Sequence, residues 1–91
     1  MDRAAFEREL QTQGYGEIVD RRMEPNHVNL EHTHEFDARV MVLEGAITIG
    51  RDGGAQTFRA GEMCAITAGT LHTEQCGAEG VRYLAGRRYK S

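Results

Sequence analysis

Apolar positions along the chain follow two different rhythms. Near the N-terminus Phe6 and Leu10 stand four apart among charged residues, with Asp2 ahead of them. That spacing places both on one helical face, and Asp2 has the side chain of an N-cap, so residues 2–12 are predicted to form a short amphipathic helix. Gly14-Tyr15-Gly16 ends it. So short a helix is marginal alone and needs a surface to pack on. Beyond residue 16 no helical period survives. The segments 17–23, 28–34, 38–43, 46–50, 55–59, 63–66, 72–76 and 81–85 read instead as short strands. They are separated by Glu24-Pro25-Asn26, Glu44-Gly45, Asp52-Gly53-Gly54, Ala60-Gly61, Ala68-Gly69 and the stretch from Gly77 to Gly80. Short strands at this spacing predict an all-β sandwich or small barrel, with residues 1–16 as a helical arm and 17–91 as the barrel of a single domain.

Composition narrows the class. Eleven glycines against one proline suit many tight turns. A chain of 91 residues supports one modest core. The formal net charge of −3 gives no electrostatic reason to expect nucleic acid as a partner. The basic residues Arg87, Arg88 and Lys90 read as a solvated tail. The charged N-terminus does not resemble a signal peptide, and the longest purely apolar run, 40–43, is far too short for a membrane span, so a cytoplasmic location is expected. In that compartment Cys64 and Cys76 are expected to be thiols. Exposed strand edges and small size point to a homodimer.

The candidate chemistry lies in HTHEFDARVMVLEG, residues 32–45. In extended chain, residues two apart share a face, so His32 and His34 aim at one point. If His34 points inward, so do Phe36, Ala38, Val40 and Val42, while Glu35, Asp37 and Arg39 face out. By the same alternation Cys64 and Ile66 point in, with Met63 and Ala65 outside, and His72, Glu74 and Cys76 share one face.

These residues resemble the cupins, a family of double-stranded β-helix (jelly-roll) barrels. The family's first motif is a glycine, five residues, His-x-His, three or four residues, Glu, six residues, Gly. Asn26, His32, His34, Ala38 and Gly45 occupy that frame. The second is a glycine, five residues, Pro-x-Gly, two residues, His, three residues, Asn, and GEMCAITAGTLHTEQC places Gly61, Thr67, Gly69, His72 and Cys76 there. The resemblance covers roughly residues 17–86 and implies a barrel with a metal site. It also shows where this chain departs from the family, since the glutamate ligand is replaced by Ala38, the proline by Thr67, the asparagine by Cys76 and the first glycine by Asn26. What the resemblance leaves as metal ligands is His32, His34 and His72, a set suited to Zn, Fe, Ni, Cu or, less well, Mn. Some cupin dioxygenases offer a precedent in an all-histidine iron site. The alternative is a barrel that has lost its metal and keeps the histidines as structural residues.

Other residues stand near this set in several open roles. A β-bulge near Phe36 brings Asp37 to the metal as the missing carboxylate; a regular strand leaves Asp37 outside as a same-face ion pair with Arg39. His27 lines the barrel mouth or is simply exposed, and Asn29 shares its parity. Cys76 is a small buried hydrophobe or a neighbour of the metal site. Tyr83 lines the pocket or packs. Two functional classes follow: a metal-dependent enzyme (dioxygenase, isomerase or lyase) acting on a small polar molecule, or a non-catalytic small-ligand-binding or sensor module. Only Glu74, Tyr83 and His27 stand out as candidate acids or bases.

Overall fold

A computed structural model describes residues 2–89. The helix α1 spans Arg3–Thr12, and the Asp2 side chain accepts a 2.8 Å hydrogen bond from the Ala5 amide at its N-terminus. Its C-terminus closes as a Schellman motif: the Gly14 amide donates to the Gln11 carbonyl and the Tyr15 amide to that of Leu10, with Gly14 at φ 83°. Six strands follow: β1 (Glu17–Met23), β2 (Val28–His32), β3 (Phe36–Arg51), β4 (Gly54–Arg59), β5 (Met63–Ile66) and β6 (His72–Tyr89).

The long strands β3 and β6 run antiparallel from Phe36↔Tyr89 to Gly50↔Thr73 and carry everything else. One half of this ribbon adds β1 beside β6 and β5 beside the start of β3. The other half adds β2 beside the start of β6 and β4 beside the end of β3. Residues of both halves, Val42 and Ile66 with Ile47, Ile49, Phe58 and Cys76, meet in one inner core. This is the expected jelly-roll architecture.

Two of the expected turns are corners instead. Glu44-Gly45 and the stretch from Gly77 to Gly80 bend β3 and β6 without reversing them, and the β3/β6 register slips between Val42 and Glu44 and again between Gly45 and Ile47. A side chain at Gly45 (φ 77°) would put its Cβ 2.1 Å from the Gly80 carbonyl oxygen, so the two backbones cross where only glycine fits. The bulges move the inward face from even positions (Val40, Val42) to odd ones (Ile47, Ile49). Asn26, in the family's first glycine position, holds φ 60°. Asparagine is among the few residues that tolerate this left-handed geometry.

The helix earns its place on the outer face of the barrel. Phe6 and Leu10 are fully buried with Tyr15, Met41 and Leu84, and Ile18, Leu43 and Met63 pack around them. Burying side chains of this size stabilises by about 1.5–3 kcal/mol each. Arg39 pairs with Glu9 and lies over the Phe6 ring, tying β3 to the helix rather than to Asp37. The expected basic tail is also part of the sheet: β6 runs to Tyr89, Arg88 bonds to Asp37 and lies over Tyr15, and Arg87 turns inward. Lys90 lies outside the described residues. Among the described residues no helix is long and apolar enough to cross a membrane.

Candidate metal centre

His32 is the last residue of β2, and His72 is the first residue of β6 and its direct cross-strand partner. His34 does not continue β2 as expected. It lies on the bend before β3, where its carbonyl accepts from the Gly69 amide at 3.0 Å and its ring stacks on Phe36. The three imidazoles nevertheless converge, with ring centroids 4.4–5.1 Å apart.

Two hydrogen bonds settle how the rings present themselves. His32 Nδ1 lies 2.7 Å from the Leu30 carbonyl oxygen, and His72 Nδ1 lies 2.9 Å from that of Thr70. A carbonyl only accepts, so each Nδ1 carries a proton, which leaves Nε2 as the nitrogen each ring offers to the site. Burial holds the His34 imidazole below the ordinary histidine value; His32, His72 and Arg87 press the same way, and Glu74 opposes them. His34 is thereby kept neutral, the form that binds a metal.

The fourth member of the cluster is Glu74. It follows His72 by two residues on the same face, with its carboxylate oxygens 3.4 Å from His72 Nε2 and 3.9 Å from His32 Nε2. Donor atoms of His32, His34, His72 and Glu74 all lie within 4.8 Å of one another. Glu74 is held from behind: Asn29 Nδ2 donates to its Oε1 at 2.7 Å, and Asn29 Oδ1 lies 2.9 Å from His27 Nε2. Because the amide nitrogen faces the carboxylate, the amide oxygen must accept, and His27 is the donor. The register slip between Asn29 and His32 lets both residues face the same side.

Does a metal suit this set? His72 is almost completely buried, and its Nε2 has no hydrogen-bond partner. An unsatisfied buried polar atom costs about 1–3 kcal/mol, and a Glu74 carboxylate oxygen lies 3.4 Å away without a hydrogen bond between them. Three imidazole nitrogens and one carboxylate around a common point are relieved together by a divalent cation. The residues fit the group.

The remaining expected site residues separate. Asp37 is not among the described residues lining the cavity: Oδ1 accepts from the Ala68 amide at 2.8 Å and Oδ2 from Arg88 at 3.2 Å. The strand is regular there, and Asp37 braces the turn leading to His72 instead of reaching the histidines. Cys76 is likewise absent from the lining; it packs in the inner core opposite Ile47. Cys64 lines the cavity instead, and burial pushes its thiol up to about 11. Tyr83 and the exposed His27 both line the cavity, and burial raises the Tyr83 phenol. The cavity, about 390 Å³, is lined by His32, His34 and Glu74 together with apolar residues that include Phe36, Ala38, Val40 and Ile66.

Sequence reasoning left Glu74 out of the ligand set. Its signal was present in the alternation from His72, but the family frame directs attention to Ala38.

No curated protein matches the chain. Among solved structures, a protein of unknown function from Rhizobium leguminosarum bv. viciae is 26% identical, with a TM-score of 0.75 over 80% of this chain and 69% of that one. A cupin-2 domain containing protein from Shewanella frigidimarina is 25% identical, with a TM-score of 0.66 over 78% of this chain and 69% of its own. Bacillus subtilis oxalate decarboxylase, a protein with Mn(II) centres, has a TM-score of 0.69 at 19% identity, over 81% of this chain and 21% of its own; at that identity the likeness speaks for the fold alone. The family model for the cupin domain matches residues 19–85, a span that contains both histidine motifs. The chain belongs to the cupin domain family.

Proposed function

We propose that this chain is a metal-dependent cupin in which His32, His34, His72 and Glu74 hold one divalent transition ion beside a cavity that receives a small molecule. The observation that carries the reading is the buried, partnerless His72 Nε2 facing the Glu74 carboxylate. With a carboxylate in the set, Mn and Fe suit the donors as well as Zn, Ni or Cu. When bound, such an ion supplies Lewis acidity and open positions for ligand oxygens. The chain's own contribution is orientation: Leu30 and Thr70 carbonyls fix two rings, Asn29 fixes the carboxylate, and the apolar wall limits water around the ligand. In an enzyme of the dioxygenase, isomerase or lyase type, Tyr83 stands at the cavity as a hydrogen-bond donor to the ligand, since burial raises its phenol and keeps it protonated.

A second reading is a non-catalytic small-ligand sensor. Once Glu74 serves as a ligand, the cavity keeps few groups able to take a proton. Turnover of a ligand found by binding separates the two. In either reading we place the protein in the cytoplasm as a homodimer, with the exposed Val28, Leu30 and Leu71 beside the β2 edge as the covered surface.

Elemental analysis of untagged protein reconstituted with Mn(II), Fe(II) or Zn(II) tests the proposal. One equivalent in the wild type and a large loss in His72→Ala are expected. Wild-type protein that retains none of these ions overturns it.

A further inference from the structure

β1 and the second half of β6 contribute charged residues to the cavity lining. Met23 packs against the inner core, and alternation along β1 puts Arg21 on the same side, directly across from Tyr83. Three arginines, Arg21, Arg22 and Arg87, are among the residues that line the cavity, with two acidic residues, Glu24 and Glu74. Two of the three are engaged. Arg22 pairs with Glu44 at 3.5 Å, and Arg87 pairs with Glu17 at 3.2 Å while lying over the Phe36 ring. Arg21 has no salt bridge or side-chain hydrogen bond among the described residues, although it sits between Asp20 and Arg22, which both do. On the acidic side, Glu74 is held by Asn29 and the histidines.

We infer that the ligand of this cavity is a small carboxylate whose anionic end is read by Arg21, while its other end reaches the histidines and Glu74. This rests on the metal-centre reading for the second contact only. An unpaired guanidinium beside an open cavity is a ready donor for a carboxylate, which matches its planar fork with two parallel hydrogen bonds. A cation held by the histidine cluster adds to the positive field of the cavity, so a molecule with anionic oxygens at both ends is favoured over a neutral or cationic one. The cavity of about 390 Å³ has room for about a dozen water-sized groups. Arg87, already neutralised by Glu17, contributes less to this preference than Arg21.

The test uses the full chain, with and without Mn(II), and calorimetric titration of succinate and glutarate against their diamides, which offer Arg21 no carboxylate. With the metal loaded, each diacid is expected to bind about ten-fold or more tightly than its diamide, the scale of at least one charge-assisted pair. Arg21→Gln should weaken diacid binding by about ten-fold without changing metal content or diamide binding, and Arg21→Lys should keep part of the diacid affinity. In metal-free protein all affinities fall, but the Arg21-dependent difference persists. Equal binding of diacid and diamide to the wild type, or undiminished diacid binding in Arg21→Gln, overturns the inference. Failure to hold Mn(II) with the Arg21-dependent preference intact overturns only the metal centre.

Discussion

The Glu74 carboxylate stands 3.4 Å from the buried Nε2 of His72, which lies two residues before it on β6, and in the proposed metal centre it supplies the carboxylate that Ala38 lacks. Ala38 lies on the neighbouring β3 and lines the cavity as part of its apolar wall. The barrel brings β2, the β2–β3 bend and β6 together at the cluster, so a carboxylate carried by β6 joins the histidines of all three segments.

Exchanging the two candidate carboxylates distinguishes them. Glu74→Ala should lower metal affinity by about ten-fold or more, measured by competition with a chelating dye. Asp37→Ala should leave metal affinity within about two-fold and act on stability instead. It removes the acceptor of the Ala68 amide and of Arg88, at a cost of about 1–2 kcal/mol, or a fall in Tm of roughly 4–16 °C for a domain this small. A metal loss in Asp37→Ala as large as that in Glu74→Ala would return Asp37 to the site.

Asn29 acts through Glu74. Asn29→Ala should weaken metal binding by about ten- to hundred-fold, the usual scale for groups that orient a ligand, with little change in Tm. Asn29→Asp should be at least as damaging, because it sets a second carboxylate against Glu74 Oε1 in place of an N–H. His27→Ala should cost less, since it removes only the donor behind Asn29. Equal metal affinity in all three variants would show that Glu74 needs no support.

The helix sits on the sheet without slack. A Cβ at Gly86 would lie 2.7 and 2.9 Å from the two methyl carbons of Leu10, and 3.1 Å from Tyr15 Cβ. Leu10 is fully buried, so its methyls must shift within the packing of Phe6, Tyr15, Met41 and Leu84. Gly86→Ala should therefore cost about 1–3 kcal/mol and expose α1 to proteolysis, while metal content stays unchanged. Wild-type Tm and wild-type cleavage kinetics would show that the helix is not seated there.

Cys64 gives the pH dependence. Burial raises its thiol to about 11 from the ordinary 9.0, with Arg51 opposing and Glu74 assisting. The folded state therefore favours the neutral form. Its contribution to stability is fully present below pH 9 and is lost as pH rises from 9 towards 11. Denaturant unfolding should show that decline, and Cys64→Ala should reduce it. At pH 8 the native Cys64 thiol should react with iodoacetamide far more slowly than the same thiol in denaturant; equal rates would contradict the burial.

The helix was legible in the sequence because an i, i+4 apolar pair with an N-cap has one economical arrangement. The faces of the strands were legible for a similar reason: alternation assigns Ala38 and Val40 inward and Arg39 outward whatever the partner strands are. It also assigned Asp37 outward, and the structure agrees. Alternation does not say whether a glycine reverses a strand or bends it. Gly45 and Gly80 looked like turns because a positive φ serves both purposes, and only the crossing of the two backbones decides for a corner. Nor does alternation measure distances between strands. Glu74 shared a face with His72 in the sequence, but its convergence with His32 and His34 depends on the register slip in β2, the bend that carries His34 and the pairing of His32 with His72. Those are relations between segments some forty residues apart, set when the barrel closes, and no local pattern contains them.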